Sequence, residues 1–576
     1  MSEEQHDRLH PGIVQAQEQL RQGRISRREF LRVATLLGAG LSTATVLAAC
    51  GGQEAAPPPP PPPGDEEVPI DPAPAPAPGA IRRGGTLRVG VKTQAVDHPA
   101  RFSWTESSNA FRTAFEYLTE TDEENITRPH LLESWEASDD LTVWTLKLRE
   151  GIFWSNGDEL VADHVIYNFG EWLDPDVGSS ILGLWEGSLT IDRVEKVDEY
   201  TIRLNLDQPK LDVPENLYHY PALIMHPSFN GDISSGANPF TGPYRIVEYI
   251  VNERARFERQ ENYWQMGEDG EPLPYLDAIE LIGLGDDQTA YVSALQTGEI
   301  HTFYEPSATS FQALRNDTRL KIYSVDTSQA RVLRMRVDQA PYDDERVRNA
   351  LRMAQDREMI MDIAAFGEGM LAHDVHVSPV QPEFAPMDLP LYDPAGAREL
   401  LAEAGYADGI DMSIAVGTGW SDVVAYAESL QQTAEAAGIN LTLNTMPNTS
   451  YWDIWTETPL GITPWTHRPL AVMLLPLAYT ADSAGDPVPW NETRWVDDEF
   501  SELLSQAQGT LDIEARRVLM ADLQRIMQER GPVAIAWWQR VWEVYNPGFQ
   551  GVYAHPTLHT IYFRDMWYDP DLDPFV

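Results

Sequence analysis

The stretch Ile462-Thr463-Pro464-Trp465-Thr466-His467-Arg468-Pro469-Leu470 places an indole, an imidazole and a guanidinium close together. A guanidinium can give two parallel hydrogen bonds to a carboxylate or phosphate, whereas an ammonium would be repelled by these basic side chains. In a chain with 89 acidic residues, Arg468 could equally serve an internal ion pair. Aromatic side chains on loops have little core to fill and can stack on sugar rings or apolar ligand parts. Trp104 in ARFSWTESSN and Trp420 in VGTGWSD lie in such Gly/Ser-rich loops, and Tyr479 and Trp490 flank the loop after Arg468. The candidate ligand-binding residues are therefore Trp104, Trp420, Trp465, His467, Arg468, Tyr479 and Trp490.

Other chemistries find less support. His373 and His376 in HDVH supply two metal ligands without a third nearby, so no metal site is expected. No GxSxG nucleophile elbow, HExxH zinc helix or Walker phosphate loop occurs, and no catalytic residue is assigned. The acidic pairs Asp139-Asp140 and Asp343-Asp344 fall in turns, where solvation is the default. With so many carboxylates, a chance pair at glycosidase spacing keeps a secreted hydrolase as a competing class.

These residues need a scaffold. Trp144, Leu146 and Leu148 alternate with Val143, Thr145 and Lys147, the period of a half-buried strand. Gly151 punctuates it, Asn156-Gly157 closes a tight turn, and Val165, Phe169 and Trp172 then recur at helical spacing. Further on, Arg331 begins a strand and Val347 to Ile363 is helical in spacing. A helix from Ala395 to Ala404 capped by Gly405 follows, then strand Asp411 to Val416, helix Val423 to Ala437 and strand Ile439 to Leu443. The β-α-β order predicts crossover helices on a sheet. Trp135, Trp144, Trp154, Trp172, Trp537 and Trp538 follow element periodicity and are core candidates.

The segment Leu131–Phe169, with its SWE, LR-x-G-hydrophobic-x-W, NG and A-D-x-V pattern, resembles the extracytoplasmic solute-binding proteins of ABC transporters. The class in question includes oligopeptide, dipeptide and nickel binders. Similar motifs continue in order: Gly84-Gly85-Thr86-Leu87-Arg88-Val89-Gly90, Thr241-Gly242-Pro243-Tyr244, Pro274-Tyr275-Leu276-Asp277 and Leu295-Gln296-Thr297-Gly298-Glu299-Ile300. Pro341-Tyr342-Asp343-Asp344, Val347-Arg348-Asn349-Ala350-Leu351 and Tyr392-Asp393-Pro394 follow. The resemblance implies an α/β, two-lobed periplasmic-binding-protein fold of the type II, Venus-flytrap kind, with an enlarged first lobe and a hinge. Lobe I would span 81–327, lobe II 328–538, and 539–576 would return to lobe I. In peptide-binding relatives an aspartate follows the tryptophan of the segment corresponding to 462–470 and meets the peptide ammonium. Here His467 and Arg468 stand instead, with Asp482 and Asp486 further on as acids that another loop could supply to a peptide.

The N-terminus is not fold material. Ser26-Arg27-Arg28-Glu29-Phe30-Leu31-Arg32 resembles a twin-arginine export signal, and an apolar run from Val33 to Ala49 is short for a membrane span. Leu47-Ala48-Ala49-Cys50 resembles a lipobox, with Cys50 as the lipidation site and 1–49 as the removed signal. Cys50 is the sole cysteine, so the mature domain has neither disulfide nor free thiol. A Pro-rich linker, 50–80, reads as an extended spacer. A net charge of −47 disfavours nucleic acid and anionic membrane. The expectation is a monomeric, lipid-anchored extracytoplasmic receptor without cofactor. It would pass a small polar solute (peptide-like, opine-like or glycosidic) to ABC permease subunits served by separate ATPase chains. An extracytoplasmic sensor or chaperone built on the same fold is the third class.

Overall fold

The computed structural model describes residues 81–576 apart from 103–104, 186, 482–483 and 558–559. Arg27, Arg28, Cys50, the Pro-rich linker and Trp104 thus lie outside the described residues.

The alternation read in Val143–Leu148 produces a strand whose Trp144, Leu146 and Leu148 are buried. It is central in a four-stranded antiparallel sheet, between Leu132–Ala137 and Thr201–Asn205. Gly157 takes φ +93° in the tight turn, and the helix Ala162–Leu173 buries Val165, Phe169 and Trp172. A five-stranded sheet completes the first lobe, with Thr86–Gly90 parallel to Ala278–Ile282. Gly242 of the TGPY motif is required by close approach: a Cβ there would stand 2.5 Å from the Ala114 carbonyl oxygen.

The second lobe is built on a six-stranded sheet. Its parallel portion joins Ile410–Gly417 to Ile439–Met446 across the helix Ser421–Glu435, the β-α-β unit expected from the sequence. Asp393 caps the helix Pro394–Glu403 by accepting from the Gly396 N–H, and Gly405 follows at φ +96°. The helical spacing from Val347 to Ile363 belongs to two helices, Glu345–Met353 and Arg357–Ala364, because Asp356 caps a fresh start.

Two long antiparallel strands, Lys321–Met335 and Val533–Tyr545, link the lobes. The first starts ten residues before Arg331, where a strand was expected. At one end Val544 packs with Leu295 and Phe303, and at the other Leu333 and Trp537 join the second lobe's core. The register shifts between Asp326 and Ala330, so the ribbon is interrupted midway between its two anchored ends. Trp537 and Trp538 are both fully buried. Beyond this ribbon the chain runs back over the first lobe, where Tyr244 donates to the Phe563 carbonyl and Asn546 N–H to that of His301.

Candidate functional site

Strand Leu460–Trp465 lies in the second-lobe sheet, antiparallel to the linking strand, with Trp465 opposite Ala330. The sheet therefore delivers Trp465 to the level of the register shift, and the chain leaves there as the loop bearing His467 and Arg468. Trp465 donates its indole N–H to Glu492 at 2.8 Å, and Thr463 Oγ1 donates to the other carboxylate oxygen at 2.5 Å. Arg334, fully buried, sits 3.1 Å from the same carboxylate. Burial pushes the Glu492 carboxyl above its ordinary range, an effect opposed by Arg334 and the two hydrogen bonds. The indole N–H is thus committed to the protein, and Trp465 presents its ring.

That ring helps enclose a cavity of about 350 Å³ between the lobes. Trp452, Trp455, Trp490 and Arg468 line it from the second lobe, Thr105 and Tyr220 from the first. Trp490 meets Trp465 edge-on at 6.1 Å and is 47 % exposed. Among the described residues, Arg468 is the one charged residue in the lining. Its Nη1 donates to Thr466 Oγ1 (2.8 Å) and the His467 carbonyl (3.1 Å). Among the described residues no carboxylate lies within ion-pairing distance, so the internal pairing open from sequence is not used. Burial lowers its pKa, and only Tyr220 opposes the shift.

A second cavity, about 310 Å³, adjoins the linking ribbon, and Trp420 lines it. Trp420 stands edge-on to Trp452 at 5.4 Å, which joins the two aromatic walls. The arginines here are already paired. Arg331 donates to Asp422 at 2.7 Å, and Arg540 to Asp326 at 2.8 Å and Glu368 at 3.1 Å.

Two sequence candidates go elsewhere. Tyr479 ends a short helix that turns it into the core: it is 2 % exposed, packs on Trp495 and Phe500, and hydrogen-bonds His376 Nδ1 at 2.9 Å. His467 is 1 % exposed, and both ring nitrogens are taken by Ser328 and Asn125. Neither lines the aromatic cavity. The HDVH histidines are likewise interior, and no group of three or more metal-ligating side chains occurs among the described residues. Trp452 and Trp455 were missed, although their i, i+3 spacing in YWDIW puts them on one helix face. Tyr220 and Glu492 carry no comparable local signal.

Two α/β lobes, a two-strand connection and an aromatic cavity between them define a clamshell binding protein, in which solute is held between the lobes. Residues 127–479 match the family described as bacterial extracellular solute-binding proteins, family 5 Middle. The chain belongs to that family, the solute-binding proteins of ABC transporters. Di/tripeptide-binding protein 1 of Pseudomonas aeruginosa is 26% identical over 488 residues, 76% of this chain and 85% of that protein. Glutathione-binding protein GsiB of Pectobacterium atrosepticum is 28% identical over 326 residues, 55% of this chain and 60% of that protein. Among solved structures, HbpA2 of Haemophilus parasuis superposes with a TM-score of 0.73 at 21% identity, covering 84% of this chain and all of that one. AgaA of A. tumefaciens, in complex with agropinic acid, superposes with 0.68 at 18% identity, covering 84% and 99%. At these identities the structural likeness concerns the fold.

Proposed function

We propose that this protein captures a small organic acid between its lobes and delivers it to an ABC permease powered by separate ATPase chains. The observation that carries this reading is Arg468. Arg468 lines an interlobe cavity, and its Nε and Nη2 donors are uncommitted among the described residues, whereas Arg331 and Arg540 in the neighbouring cavity are paired. A carboxylate or phosphate would accept both donors in parallel. Trp452, Trp465 and Trp490 would pack on the flat or apolar part of the solute. A volume of about 350 Å³ suits a compact molecule, at the lower end of ordinary ligand pockets.

Among the described residues, the lining of this cavity offers no acid to an ammonium. Glu492 is the acid nearest the Trp465 N–H, and its oxygens are held by Thr463, Trp465 and Arg334. The ligands named for relatives, a di- or tripeptide, glutathione and agropinic acid, each bear a carboxylate. That shared group fits Arg468. Membership of the family supports binding rather than turnover, and closure of the lobes is favoured by as much as the solute prefers the closed form. Export through Arg27-Arg28, acylation at Cys50 and the Pro-rich spacer would hold the receptor, as a monomer, outside the cytoplasmic membrane.

Native mass spectrometry of the protein purified gently from rich medium tests the assignment. The expected adduct contains a carboxylate or phosphate and is released chemically unchanged. An adduct without an acidic group would overturn the reading, and release of a cleaved product would revive the hydrolase.

A further inference from the structure

The loop that carries Arg468 is also fastened to the ribbon and to the opposite lobe. Asn125 belongs to the first lobe, in the turn between strands Thr119–Thr121 and Thr127–Pro129, with φ +66°. Asp122 stiffens that turn by accepting from the N–H groups of Glu124 (3.0 Å) and Ile126 (2.9 Å). From this support the Asn125 amide reaches the second lobe and makes two bonds. Nδ2 donates to the Pro469 carbonyl and Oδ1 meets His467 Nε2, both at 2.9 Å.

The other side of the imidazole faces the ribbon. His467 Nδ1 accepts the backbone N–H of Ser328 at 2.9 Å, and Ser328 lies within the register shift between Asp326 and Ala330. This fixes the tautomer: Nδ1 is the acceptor, so Nε2 carries the hydrogen and donates to Asn125. Ser328 Oγ in turn accepts the Arg468 N–H at 3.0 Å and lies 3.0 Å from the Arg468 carbonyl oxygen. One buried imidazole therefore ties a first-lobe turn to the ribbon, and the next residue in sequence is the arginine of the cavity.

We propose that Asn125 is an interlobe latch: through His467 and Ser328 it holds the lobes together and sets the position of Arg468. This is a positioning role, and it rests on the reading that the cavity beside Arg468 is the solute site. The latch leaves the solute less of the closing free energy to supply, since part of it is already present between the lobes. Opening the lobes requires the amide of Asn125 to give up both bonds, while the fold of each lobe stays intact.

The test is hydrogen exchange of the full-length protein without ligand, so a cavity that proves not to bind solute leaves the outcome readable. Asn125→Gly removes the amide and keeps a residue suited to positive φ. Loss of two hydrogen bonds is expected to speed exchange at the Ser328 and Arg468 amides by roughly tenfold or more. The facing segment 215–220 of the first lobe should be exposed with them. Amides of Leu146 and Ile414, in the sheets of the two lobes, should be unchanged. Ser328→Ala, which removes the hydroxyl from the ribbon side, should raise exchange at Arg468 with the same spread, and it stands as the readout should the Asn125 variant not fold. No change at 325–330 and 465–470 in either variant overturns the latch. Faster exchange throughout both lobe cores would make Asn125 a plain stability residue and overturns it equally.

Discussion

Arg468→Ala should separate binding from stability. In the protein as it stands, Arg468 is half-buried, its guanidinium donates to Thr466 Oγ1 and the His467 carbonyl, and it has no carboxylate partner among the described residues. Its pKa is pushed down by burial, and Tyr220 opposes the shift only in part. Removing it forfeits two modest hydrogen bonds and some packing of the aliphatic stem, and relieves the desolvation of the charge. These oppose one another, so the folding free energy should move by no more than about 1 kcal/mol. Binding has no such offset. A charge-assisted contact contributes about 1.5–3 kcal/mol, which corresponds to roughly 10- to 150-fold in Kd. Arg468→Lys should recover only part of this, because an ammonium provides the charge without the planar fork. The assay is titration calorimetry with the solute recovered from the native protein, paired with urea unfolding of the unliganded variants. An Arg468→Ala affinity within twofold of the parent would refute the assignment. A stability loss of several kcal/mol would show that the guanidinium is structural.

Three further outcomes are expected. Glu492→Ala removes one partner of a buried pair and strips the anchor from Trp465, so urea unfolding should show a loss of about 3–5 kcal/mol; Glu492→Gln, which can still accept, should lose less. Gly242→Ala places a methyl 2.5 Å from the Ala114 carbonyl oxygen, and should cost about 1–3 kcal/mol in the same assay; an unchanged midpoint would mean that the backbone yields freely there. Burial pushes His219, His301, His376 and His467 down to about 3 and His555 to about 4, so each is neutral when folded and takes up a proton on unfolding below its ordinary value near 6.5. Their stabilisation is present above that value and is lost as pH falls toward the folded values, by up to about 1.4 kcal/mol per pH unit for each histidine. Glu215, raised by burial to about 7, pulls the other way over part of the range. The urea midpoint should nevertheless fall steadily between pH 6.5 and 5, and a flat profile would contradict the burial of these rings.

Strand Val143–Leu148 and the unit from Ile410 to Met446 were legible because each element writes its own burial into its spacing, whatever it packs against. The strand starting at Lys321 was read too late: its first residues, KIYSV, are largely half-exposed and carry no strong alternation. At the site, Trp465 and Arg468 stood out by type, but type does not reveal commitment. His467 and Arg468 are adjacent basic residues in one loop. One is consumed by contacts to residues 139 and 342 positions away, and the other keeps open donors. Tyr479 and Trp490 likewise both flank that loop; a short helix carries the first into the core, while the second remains 47 % exposed. Whether a polar group is free to meet a solute is decided by which distant groups the fold has already given it. Glu492 acquires its three partners from two strands distant in sequence, Arg334 on the linking strand and Thr463 and Trp465 on Leu460–Trp465, and no local pattern announces them. The residues that support a site are therefore harder to read than those that touch its contents. Trp452 and Trp455, which had a helical spacing to offer, were within reach of the sequence, whereas Asn125, Ser328 and Glu492 were not.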